Sequence, residues 1–255
     1  MKFVFDIETN RLINPDKIWL AVFKNIDTGE YSIFRNITES ENERERCHRF
    51  VHDVIRNGDT CIGPNSLSFD CPILLSALGI HPEVGFIQSN VDTLIIGKLA
   101  NFKRKGGHSL ESYGEEFGFS KGTFSKWNDP DLLNQDSILY KELEKYCIRD
   151  VDITEKVYLK YLKYINHPDN LRGIHLEHSF QFIVINALEK NGFKFNKVKA
   201  EKLLKEVEEQ LAVLDKEIAE AFPPRLKLIR EIHPKETKHG TLSLTDFRWL
   251  PVTNG

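Results

Sequence analysis

No stretch of this chain is apolar for long enough to span a bilayer, and its opening, Met1-Lys2-Phe3-Val4-Phe5-Asp6, meets an acid too early for a secretory leader. A cytoplasmic protein with no membrane partner is therefore expected. Cysteine is scarce. The four present (Cys47, Cys61, Cys71 and Cys147) form no Cys-x-x-Cys pair and have no histidine at a matching spacing. That argues against a disulfide framework and against zinc, and for free thiols in a reducing compartment. Positive charge is not in excess either. A net charge of -3 and a pI near 6.3 argue against a protein that coats duplex DNA through bulk electrostatics. Also missing are a Gly-x-Gly-x-x-Gly run, a phosphate-loop lysine motif, internal repeats, low-complexity segments, and a serine or cysteine nucleophile with a histidine partner in sequence.

What is present suits a globular protein with its own core. The chain has 255 residues, 40% of them hydrophobic and 29% charged, with 17 phenylalanines. One medium domain with an appendage, or two small domains, would fit that length. Residues 2–7 read as a buried central strand, and 18–24 and 31–35 as a hairpin around Asp27-Thr28-Gly29-Glu30. Cys47, Phe50, Val51, Val54 and Ile55 fall at helical spacing, and Asn57-Gly58 ends that helix. A short strand at Thr60-Cys61-Ile62 breaks at Gly63-Pro64-Asn65, and a helix over 72–78 stops at Gly79. A strand is expected over 85–91, followed by helices over 94–99, 109–117 and 130–164, the last with Leu139, Leu143, Tyr146, Val151, Thr154 and Val157 on its inner face. Further helices over 176–190 and 198–221 lead to Pro223-Pro224 and a remainder of mixed strand and loop character. Three strands in a meander, followed by helical crossovers, imply an α/β fold with a mixed central sheet flanked by helices and a mostly helical C-terminal extension.

Against this background four acids stand out: Asp6 and Glu8 in Phe5-Asp6-Ile7-Glu8-Thr9, Asp70 in Ser68-Phe69-Asp70, and Asp150 in Tyr146-Cys147-Ile148-Arg149-Asp150. Residues i and i+2 of a strand share a face, so Asp6 and Glu8 project together while Ile7 turns into the opposite core. Tyr146 and Asp150 share a face of a helix. If these elements converge, charges at ~4 Å repel by roughly 4 kcal/mol at an effective dielectric near 20. Two hard divalent ions, Mg²⁺ or Mn²⁺, would relieve that repulsion and could drive an in-line displacement at phosphorus. Taken singly, each motif is most often a surface or capping feature. The ordered set of three is what points to a site. Between 98 and 126, Lys98, Lys103, Arg104, Lys105, Lys121 and Lys126 outnumber Glu111, Glu115 and Glu116, either as a strand contact or as a solvated loop. His175 and His178 share a helix without a further ligand, so surface or capping roles are favoured.

Asp6-x-Glu8, Asn65-x-x-x-Phe69-Asp70 and Tyr146-x-x-x-Asp150 resemble the motifs of the 3′–5′ proofreading exonuclease of family A DNA polymerases, the DEDDy branch of the RNase H-like superfamily. The middle motif, one residue longer than in bacterial polymerase I, is similar to that of podovirus-type phage polymerases. So are Gly107-His108-Ser109-Leu110-Glu111-Ser112-Tyr113-Gly114 and Glu189-Lys190-Asn191-Gly192-Phe193. The resemblance covers residues 1–220. It implies an RNase H-like exonuclease domain over 1–168 and an extension over 169–255 similar to the start of a polymerase thumb. It implies a catalytic metal on Asp6, Glu8 and Asp150, with Asp6 bridging to a second ion held by Asp70 through water, and Tyr146 orienting the attacking water. Thr9 and Leu12 would contact the 3′-terminal nucleotide, Asn65 would lie near the substrate, and Phe69 would be an aromatic neighbour or a core residue. Asp92 matches an acid of the family but is preferred here as a helix cap.

The substrate so implied is single-stranded DNA or a frayed 3′ end, cut to nucleoside 5′-monophosphates in the host cytoplasm if the protein is viral. No Asp-Tyr-Ser-type motif, fingers lysine motif or Val-His-Asp-Glu-type motif is found, so polymerisation is not expected. The chain would be a separate or cut-down exonuclease, or one working beside a separate DNA polymerase chain. The apolar face of the last helix (Leu203, Val207, Leu211, Leu214, Ile218) would pack on the exonuclease or dock a partner. An RNase D-like RNA exonuclease, or a binding module without chemistry, are the alternatives.

Overall fold

A computed structural model describes residues 1–81, 87, 89–119 and 122–223. The expected strand and loop character beyond Pro224 lies outside the described residues. Two compact units are present, Met1–Gly192 and Phe193–Gly255.

The first unit is built on a five-stranded sheet of β1 (Lys2–Thr9), β2 (Ile18–Asn25), β3 (Tyr31–Arg35), β4 (Thr60–Gly63) and β5 (Val91–Asp92), in the order β3-β2-β1-β4-β5. β1 runs antiparallel to β2 and parallel to β4, so it is central and both its faces must be covered. Its alternation sorts the core into two layers. Phe3, Phe5 and Ile7 pack with Phe23, Phe34, Cys47 and Val51 on one face, where α1 (Glu41–Arg56) and α2 (Asp70–Leu78) lie. Val4 points the other way, toward α5 (Ile138–Ile165), whose Leu139, Leu143, Cys147 and Val151 recur at one helical turn. Asp6 and Glu8 follow Val4 by even steps and so share the α5 side. A register shift between Glu8 and Thr9 ends regular pairing at that point, a distortion that re-aims side chains at sheet ends.

Local signals set most boundaries. Ser40 and Ser137 accept main-chain N–H groups of Glu43 and Tyr140 and so start α1 and α5. The helix expected over 130–164 is split for this reason: Pro130–Leu133 is a 3₁₀ turn, and α5 begins only after the Ser137 cap. The strand expected over 85–91 is also revised. Among described residues only Val91, with Asp92, pairs as strand, while Ile87 and Ser89 are helical. Asp92 then caps α3 (Thr93–Ala100), and α4 spans Leu110–Glu116. Arg104 is no free basic group. It pairs with Glu116 at 2.7 Å and stacks on Tyr113 at 3.9 Å, whereas Lys98, Lys103, Lys105 and Lys126 are exposed.

α6 (Pro168–Ser179) runs on through a π-helical segment (Phe180–Ile185) into α7 (Asn186–Asn191). His178 of α6 is fully buried and neither a surface nor a capping residue. Burial pulls its pKa down from 6.5 to about 4, with a smaller push from His175. Between those values the unfolded chain takes up a proton that the folded one refuses. The folded state is therefore at full strength above pH 6.5 and loses about 3 kcal/mol as the pH falls toward 4. Urea unfolding at pH 7 and pH 5 should show this slope, flattened in His178→Gln. An unaltered slope in the variant would assign the effect to other groups.

The second unit, described over 193–223, is the helix α8 (Lys197–Ala221), capped by Asn196 and lined with Lys197–Glu201, Lys202–Glu206 and Lys205–Glu209 pairs. Leu203, Val207, Leu211, Leu214 and Ile218 are exposed on it.

Candidate active site

At the C-terminal end of β1 a cleft of about 520 Å³ opens between the sheet and α5. It is lined by Asp6, Glu8 and Thr9 of β1, Leu12 just after it, Asn65 and Phe69 of the loop following β4, Asp70 at the start of α2, and Tyr146 and Asp150 of α5. The five expected catalytic residues and the four expected substrate contacts therefore face one space. Leu12 stands 81% exposed at the rim, Asn65 is exposed, and Phe69 is half-buried against the Phe5 layer as well as lining the cleft.

All four acids are nearly covered: Asp6, Glu8, Asp70 and Asp150 are each less than a tenth exposed. Asp70 Oδ1 accepts the main-chain N–H of Ile7 at 3.1 Å, which ties the start of α2 to the middle of β1. Burial pushes its pKa up to about 7, opposed by that hydrogen bond and by its own backbone and helped by the charge of Asp92. Without a neighbouring cation this carboxyl keeps its proton near neutrality.

The loop that carries Asn65 is held from below. Gly63 approaches so closely that a Cβ there would lie 2.7 Å from Cβ of Ser66, and Asn65 adopts φ 54°, a left-handed conformation that asparagine tolerates. Asp92 then accepts four main-chain N–H groups, those of Asn65 and Leu67 in this loop and of Leu94 and Ile95 in α3, at 3.0–3.2 Å. The cap role expected for it is present, together with a second one.

Three lining or neighbouring residues were not read from the sequence. Trp127 stacks edge-on against Tyr146 at 6.0 Å, its carbonyl accepting from Trp19, and it comes from a segment with no periodicity to announce it. Arg11 at the rim pairs with Asp16. Cys147 is fully buried behind Asp6, its thiol 3.8 Å from both the carbonyl oxygen and Oδ2 of that residue. One ligand atom each from Asp6, Glu8 and Cys147 lie within 4.8 Å of one another. Burial, and then the charges of Asp6, Glu8, Asp150 and Asp70, hold the thiol well above its ordinary pKa. Cys147 precedes Asp150 by three residues on α5, so its presence on the same face was available to helical-wheel reasoning. Cys–Cys and Cys–His spacings carry no sign of it.

The residues fit hard divalent cations. Four buried carboxylates, one of them with its pKa raised to about 7 by burial, offer oxygen donors and face a cleft open to solvent.

The fold is RNase H-like: a mixed five-stranded sheet of order β3-β2-β1-β4-β5, flanked by helices. A solved structure, the apo form of a nuclease, superposes on 76% of this chain and 88% of its own, with a TM-score of 0.51 and 15% sequence identity. No protein-family model and no curated protein matches the sequence. Among the described residues no helix is long and apolar enough to cross a membrane.

Proposed function

We propose that this chain is a metal-dependent 3′–5′ DNA exonuclease of the proofreading type, removing nucleoside 5′-monophosphates from single-stranded or frayed ends. The observation that carries the reading is that Asp6, Glu8, Asp70, Asp150 and Tyr146, from stretches far apart in the chain, line one cleft. The resemblance of their motifs to the DEDDy branch gives the direction of attack, and the nuclease with a similar fold agrees with the class. Asp6, Glu8 and Asp150 would hold one ion, with Asp6 shared toward a second held through Asp70. Two Mg²⁺ or Mn²⁺ ions bound there would lower the pKa of a water and neutralise charge on the phosphate and the leaving oxygen. Tyr146, braced by Trp127 and Phe124, lines the cleft with Asp150 and would orient the attacking water. Thr9 and Asn65 position the terminal nucleotide. Leu12, exposed at the rim, wedges against its base, which favours ends already unpaired. A separate polymerase chain supplying such ends is part of the same proposal.

Digestion of 5′-labelled oligomers with Mn²⁺ tests it. A ladder shortening from the 3′ end of DNA, absent when that end is blocked, is the expected result. Equal survival of blocked and free oligomers, or faster loss of a matched RNA, would overturn the reading.

A further inference from the structure

The thiol behind Asp6 gives this acidic site a second, softer donor. We infer that Asp6, Glu8 and Cys147 form a site for a thiophilic divalent cation, of the Cd²⁺ or Zn²⁺ class, which holds the protein in an inactive state. The inference builds on the proposed function only in its last clause.

Geometry supports it. Ligand atoms ~2.3 Å (sulfur) and ~2.1 Å (oxygen) from a common tetrahedral ion lie about 3.6 Å apart. Sγ of Cys147 is 3.8 Å from Oδ2 of Asp6, and one donor atom each from Asp6, Glu8 and Cys147 falls within 4.8 Å of the others. An ion could reach this group from the cleft, because Asp6 and Glu8 line it. Donor chemistry separates the cations: Mg²⁺ takes oxygen and ignores sulfur, whereas Zn²⁺ and Cd²⁺ accept thiolate. When the sulfur–metal bond forms, the S–H bond breaks and its proton passes to solvent, with no change of oxidation state. An ion so held occupies the oxygens of Asp6 and Glu8 that catalysis would need. It is drawn toward α5 by Cys147, away from the open side of the cleft. Cys47, Cys61 and Cys71 are buried too, but none of them joins a group of metal-ligating residues among those described.

The test is titration of the whole protein with Cd²⁺, followed by the ultraviolet sulfur-to-cadmium charge-transfer band. One equivalent of band is expected, lost in Cys147→Ser, with Cd²⁺ affinity weakened at least about tenfold, the low end of what losing even an outlying partner of a metal ligand costs. Mn²⁺ affinity, measured by calorimetry on the same variant, should stay within about twofold. Absence of the band in the wild type, its persistence in Cys147→Ser, or equal weakening of Mn²⁺ and Cd²⁺ would each overturn the inference, the last by showing that the thiol merely positions Asp6. Cleavage is assayed separately. Protein that binds Cd²⁺ through Cys147 but never cuts DNA defeats the nuclease reading alone. Protein that cuts with Mg²⁺ and shows no band defeats this inference alone. Relief of Cd²⁺ inhibition in Cys147→Ser is expected if both hold.

Discussion

Asp6→Asn should lose at least about 10³-fold in 3′-end hydrolysis while folding normally. The change keeps the shape and one oxygen of the side chain but removes the charge that would be shared between two ions. Several kcal/mol of transition-state stabilisation depend on those ions, and each 1.4 kcal/mol or so is a factor of ten in rate. Stability should hold or rise, because a buried carboxylate in a cluster of acids has been replaced by a neutral amide. Tyr146→Phe, which removes only a water-orienting hydroxyl, should slow the reaction less. The measurement is single-turnover cleavage of a labelled oligomer in Mn²⁺, alongside a urea melt. Asp6→Asn retaining more than about a tenth of the wild-type rate would remove Asp6 from the chemistry and sink the metal assignment.

Asp92→Ala should be the most destabilising single change in the first unit. Its side chain is fully buried and accepts four main-chain N–H groups, two in the loop that carries Asn65 and two at the start of α3. Hydrogen bonds to a charged group contribute about 1.5–3 kcal/mol each, and buried donors left without a partner cost a similar amount. Against this stands the cost of burying the carboxylate, which is why its pKa lies above the ordinary value despite those four donors. The hydrogen bonds outweigh it, and a net loss of about 4 kcal/mol is expected, a large part of the 5–15 kcal/mol typical of a domain. Asp92→Asn should lose less, since an amide oxygen in the place of Oδ1 still accepts three of the four bonds and only the one from Leu67 is lost. The loop between Gly63 and Asp70 should loosen as well, so Asp92→Ala should weaken nuclease activity without touching substrate. A urea midpoint shift worth less than about 1 kcal/mol would show that the four bonds are replaceable by water.

These two residues divide differently between sequence and tertiary structure. Asp6 was legible from a short strand pattern, because alternation alone puts it beside Glu8 and opposite Ile7. Asp92 was legible only in half: a helix cap is local, but the reach to Asn65 and Leu67 depends on β5 pairing with β4. Asp70 was recognisable as the start of a helix, yet its bond to Ile7 is a contact across the fold.

Period and capping act within one element, so the amino-acid sequence by itself determined the succession of the strands and of most helices, the two-sided burial of β1 and the face each acid occupies on its own segment. It did not determine the helical Ile87 and Ser89 or the helix start at Pro168. Which segments meet depends on sheet order and on helix packing across it, and those contacts join residues between 12 and 141 positions apart. Tertiary structure alone therefore decided that Cys147 sits against Asp6, that Trp127 braces Tyr146, that His178 is sealed from water, and that Arg104 is locked to Glu116 instead of lying free on the surface. The physical reason is that desolvation and side-chain contact are properties of the packed interior, and no residue carries them before its neighbours arrive.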